Sequence, residues 1–101
     1  MISLGTATLF ADDTPHRVTV AITWERDHAW SGILGGGLDW SDLAGRALEL
    51  DVPGSLAPAD QPVVTDVVID AVLDHEVRAR GAILGPAARS ERLSSPGIAA
   101  P

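Results

Sequence analysis

The run Arg17-Val18-Thr19-Val20-Ala21-Ile22-Thr23-Trp24 carries a large apolar side chain at every even position and a small or polar one at every odd position. A period of two is the pattern of a β-strand with one dry face. Beyond Glu25-Arg26-Asp27-His28, Trp30 and Leu34 keep the even parity. A loop with an odd number of residues therefore returns the chain with matching faces, and Trp24 is expected opposite Trp30. Upstream, Ile2, Leu4 and Phe10 place their bulk on even positions, and Asp12-Asp13-Thr14-Pro15 is turn chemistry. The first three strands read as a meander.

Working outward, residues 35 to 45 break the alternation. The segment opens on Gly35-Gly36-Gly37 and closes on Gly45, with Asp39 placed to cap a short helical turn and Asp42 three residues on. Strand character resumes at Arg46-Ala47-Leu48-Glu49-Leu50-Asp51-Val52, apolar on the even positions. Residues 53 to 62 hold three prolines and a glycine, an irregular crossing at one end of the fold. Val63 to Leu73 is dense in Val, Ile and Thr. A helix is the competing reading, because Asp66, Asp70 and Asp74 recur every four residues and Gly81 is a possible stop. Strands are preferred, since β-branched residues lose rotamer freedom in a helix and stacked aspartates repel one another. A reversal around Asp74-His75-Glu76 would oppose Leu73 to Val77, Ala71 to Ala79 and Asp70 to Arg80, with a final strand ending near Gly85-Pro86.

These elements predict an all-β fold, a small antiparallel barrel or sandwich of about six strands with one short helical turn. Residues 1–86 form the domain, and 87–101 are expected to be a flexible C-terminal tail too poor in apolar bulk to order itself. The predicted inward set is Leu4, Phe10, Val18, Val20, Ile22, Trp24, Trp30, Leu34, Leu48, Leu50, Val67, Ile69, Leu73 and Ile83.

Composition narrows the function. The chain has 101 residues, 14 acidic side chains against 7 arginines, and a formal charge of -7. Such a surface repels a phosphate backbone, so no nucleic acid is expected as a partner. No cysteine is present, which removes disulfides, thiolate metal sites and cysteine nucleophiles. The N-terminus shows neither a basic n-region nor an apolar block, so no membrane association and a cytoplasmic location are the expectations.

Residues that carry chemistry are scattered. His28 beside Asp27, and His75 between Asp74 and Glu76, resemble metal or acid/base fragments, yet no pair has the His-x-x-x-His spacing of a zinc site, and a solvated turn tip explains them. No serine sits in a nucleophile elbow, and no calcium or phosphate loop is spelled out. No catalytic residue, metal or cofactor is expected.

Three of the four aromatic residues are tryptophans. Trp24 and Trp30 read as core by parity, with Trp30 alternatively stacking on a ligand at an open barrel end. Trp40 either plugs the barrel or stands out as an anchor for a partner. Asp66, Asp70 and Asp74, joined by Glu49 and Asp51 if their strands are neighbours, make an acidic outer face interleaved with Val64, Val68 and Val72, a plausible dimer contact. Two functions follow from these features. One is a non-catalytic protein-interaction or scaffolding module whose partner is another protein or a second copy. The other is a small-molecule-binding barrel with a pocket at one end lined by Trp24, Trp30, Trp40 and His28.

Overall fold

The computed structural model describes residues 2–86. The tail expected at 87–101 lies outside the described residues. Six strands, β1 (Ile2–Ala11), β2 (Thr14–Trp24), β3 (Ala29–Gly35), β4 (Leu48–Val52), β5 (Val63–Val72) and β6 (Glu76–Pro86), pair antiparallel throughout. They close into a barrel in the order β1-β2-β3-β6-β5-β4. Two three-stranded meanders are thus joined edge to edge, β3 to β6 and β4 to β1, the second junction using Thr8–Ala11 of β1. Residues 63–72 and 76–86 form strands, and the helical reading of that segment is excluded.

The β2–β3 hairpin follows the expected parity, with Trp24 paired to Trp30 and Val20 to Leu34. The even residues of β2, β3 and β4 point inward. Val18, Val20, Ile22, Trp30, Leu34, Leu48, Leu50 and Val52 are all buried in one cluster. Between the meanders, α1 (Trp40–Leu43) is the single helical turn. Asp39 caps it by accepting the backbone N–H of Asp42 (3.2 Å), which satisfies a donor that so short a helix leaves open. Arg46 then bridges Asp42 and Asp12 at 3.2 and 2.7 Å, tying α1 to the first hairpin. The hydrogen bond to Asp12, with the charge of Asp42 beside it, raises the Arg46 pKa above its ordinary value. Replacing Asp39 by Ala is expected to lower unfolding free energy by about 1 kcal/mol in urea titration.

Three expectations are corrected. The first concerns β1, whose inward residues are Ala7, Leu9 and Ala11 rather than the even ones. Leu4 is 72% exposed, and Phe10, although buried, stands outside the core cluster. The cause is the turn. Ala11 pairs with Thr14, so only Asp12 and Asp13 form the loop, with φ of 51° and 68°. A two-residue turn with both central residues at positive φ opposes odd positions of β1 to even positions of β2.

The second correction is the β5–β6 register. Val72 pairs with Val77, and a bulge between Ile69 and Ala71 inserts Asp70 as an extra residue. One added residue exchanges the faces beyond it, so Ala71 opposes Arg78 and Leu73 leaves the core to lie exposed. Val67 remains inward, and Ile69 packs against the core partly buried.

The third is Asp51. Strand β4 does neighbour β5, with Glu49 opposite Asp66 and Asp51 opposite Val64. Asp51, however, is only 6% exposed and contributes no open acidic surface.

Candidate interaction surface

The three tryptophans turn their polar edges into the protein. Trp30 is 1% exposed, and its indole N–H donates to Thr65 Oγ1 at 3.0 Å. Trp40, 3% exposed, donates to the Gly36 carbonyl at 3.2 Å, and so serves as the plug beneath the triple glycine. Trp24 is half-buried against the core and donates to the Leu56 carbonyl at 2.8 Å. Burial with every indole N–H bonded is the behaviour of core tryptophan rather than of a binding anchor. Trp30 lines a recess in the surface that neither Trp24, Trp40 nor His28 lines. His28 is exposed in the β2–β3 turn at a φ of 62°. Among the described residues no three His, Asp or Glu side chains are placed to hold a metal ion.

What the barrel brings together lies on its outside. On β5 the outward side chains include Asp66, Val68 and Asp70, and on neighbouring β6 they include Arg78 and Arg80. Val68 opposes Arg80, and Arg80 opposes Ser31 of β3; Ala71 opposes Arg78, and Arg78 opposes Ile33. A column of carboxylates therefore runs beside a column of guanidiniums, with a strand spacing of about 4.8 Å between them. Arg80 Nε donates to Asp70 at 3.1 Å, the opposition expected from the sequence although the bulge makes it diagonal. Arg78 makes no ion pair among the described residues. Asp74 sits exposed in the β5–β6 turn, beyond the columns.

Val68 is 44% exposed, flanked along its strand by the two carboxylates. Beside it the wall is hollowed. A recess of about 470 Å³ lies among Glu25, Ser31, Asp66, Val68, Arg80 and Gly81. It lies where the two strands part from regular pairing. Thr65 pairs with Ile83, Val68 with Arg80, and between them the Ala82 N–H donates to Asp66 Oδ1 at 2.7 Å. Ser31 closes the far rim by donating to Glu25 Oε2 at 2.7 Å.

A second recess of about 470 Å³ crosses β4, β1 and β2 beneath the 53–62 crossing. Its polar lining is Thr6, Thr8, His16, Arg17 and the buried Asp51. Thr8 pairs with both Asp51 and Arg17 across the sheet, placing one carboxylate and one guanidinium on either side of a hydroxyl. Sequence reading overlooked this row because it assigned β1 the opposite faces.

The aspartates of β5 were visible in the sequence. Arg78 and the Gly81 hollow were not singled out, although the even-numbered Arg78 and Arg80 beside buried Val77 and Ala79 carried the signal. Among the described residues no helix is long and apolar enough to cross a membrane. The chain matches no family model, and no curated protein or solved structure is significantly similar to it.

Proposed function

We propose that the chain is a non-catalytic protein-interaction module that works through the outer face of β5 and β6. The observation that carries this reading is the hollow beside Val68, an exposed apolar residue set between opposite charges on a wall whose opposite side is packed core. Apolar centres with charged rims are the usual anatomy of a binding patch, and the charges steer encounter more than they tighten the complex. Substituting Val68 by Arg tests it. In affinity purification of the tagged chain from its native host, the Val68→Arg variant is expected to lose the retained partner. Leu4→Arg, on the distant end of β1, should keep it. Retention by both variants, or by neither, would overturn the assignment of this face.

The recess over Thr8 supports a second reading, a binder of a small polar molecule, because Asp51 is buried at its edge while Arg17 stays exposed. A ligand held there would raise the melting temperature of the wild type and not of Arg17→Ala in a screen of polar metabolites.

A further inference from the structure

We infer that the partner seated on the β5–β6 face is a second copy of this chain, an inference that rests on the interaction reading above. The face is its own electrostatic complement. Asp66 and Asp70 line β5, Arg78 and Arg80 line β6, and the two columns are adjacent and antiparallel. Where β5 pairs with β6 and β6 with β3, those edges are taken, so two copies that meet on this face meet wall to wall.

Symmetry then selects one arrangement. A two-fold axis lying in the contact plane and running along the strands, between β5 and β6, carries β5 of one copy over β6 of the other at the same height. Asp70 of each copy comes to lie over the gap between Arg78 and Arg80 of its partner. Val68 comes over Arg80 and the Gly81 hollow, where the aliphatic part of the arginine offers it an apolar bed. An axis running across the strands would instead stack β5 on β5, carboxylate against carboxylate. The contact is isologous, so each favourable pair occurs twice. It also gives Arg78, which makes no ion pair among the described residues, a carboxylate to face.

A convex barrel wall limits the contact area, so the dimer belongs with small, reversible interfaces. The face has mixed sign although the chain as a whole is at -7. At physiological salt the Debye length is about 8 Å, so the local pattern governs the approach rather than the total charge.

Charge reversal tests the arrangement without reference to any other protein. Sedimentation velocity of the wild type over micromolar to millimolar concentrations is expected to show a species of twice 10.5 kDa. Asp70→Arg makes the face positive at its centre, and Arg80→Asp leaves Arg78 as the one cation beside Asp66 and Asp70. Asp70→Arg alone is expected to lose self-association by about a hundredfold, because its guanidinium then faces Arg78 and Arg80 of the other copy; Arg80→Asp, which keeps Arg78 opposite Asp70, is expected to lose about tenfold. Mixed in equal amounts, the two variants are expected to recover a heterodimer. Loss of the Asp70–Arg80 ion pair within one chain cannot produce that recovery, since neither variant regains it. Circular dichroism of each variant confirms that the barrel is retained.

A wild type that stays monomeric throughout, a dimer that survives both single variants, or a mixture that stays monomeric would each overturn the inference. The interaction reading fails separately. If the wild type is monomeric yet Val68→Arg still abolishes retention of a different protein, the face is an interface and only the second copy is excluded.

Discussion

Replacing Trp30 by Ala is expected to lower the free energy of unfolding by about 3–5 kcal/mol, the range for removing a fully buried aromatic side chain. A domain of this size holds about 5–15 kcal/mol in all, so the loss brings the barrel close to unfolding at ambient temperature. The indole is 1% exposed and lies across Gly81, its pairing partner on β6. It spans from β3 to β5, where its N–H meets the Thr65 hydroxyl, and that hydroxyl in turn donates to the Asp66 carbonyl at 2.9 Å. One side chain thus joins the two meanders. Trp30→Phe keeps one packed ring and loses the N–H donor and part of the indole's volume, so about 1–2 kcal/mol is expected from urea titration. An equal loss in both variants would mean that the hydrogen bond, and not the packed ring, carries the effect.

Replacing Gly81 by Ala is expected to cost about 3 kcal/mol, a large effect for one methyl group. A Cβ at this position would collide with the Asp66 carbonyl oxygen and lie 2.7 Å from Trp30 Nε1. The first obstacle is backbone, which cannot rotate away, so β5 and β6 must separate where they already depart from regular pairing. Gly85→Ala, four residues along the same strand, is the matched control. Nothing lies within 4 Å of a Cβ there, and its stability should change by less than about 0.5 kcal/mol. In a Trp30→Ala background the cost of Gly81→Ala should shrink, because one of the two obstacles has gone. A double-mutant cycle reads that coupling directly.

How much of this was legible in the sequence depended on whether pairing was local. The β2–β3 hairpin was readable because the five residues between paired Trp24 and Trp30 preserve parity, and Trp24, Trp30 and Leu34 are too bulky to be ambiguous. Asp39 as a cap was readable because capping is a property of four consecutive residues. The faces of β1 were not, because Ile2, Leu4 and Phe10 are larger than the Ala7 and Ala11 that, with Leu9, fill the interior. The wall there is lined with small residues where β1 meets both β2 and β4. Bulk was a poor guide once the turn proved to be two residues long. The bulge at Asp70 has no residue signature, and it cannot be found by counting alternation. The candidate face shows the same division. Its aspartates stand in a visible row, but setting Arg78 and Arg80 beside them, with Ser31 and Ile33 beyond, requires the β3–β6 and β5–β6 pairings. The hollow itself lies at a break in the ladder, which carries no charge or motif to mark it.

The claim on which everything else turns is that side chains fill the barrel, so that binding must use its outer wall. Hydrogen exchange at the three indole N–H groups, followed by NMR, tests it most directly. Each is bonded to a partner inside the protein, and the Trp30 N–H should exchange only through global unfolding, slower than those of Trp40 and of half-buried Trp24. A Trp30 N–H that exchanges as fast as free indole under native conditions would mean that water reaches the interior, and the outer wall would lose its claim as the working surface.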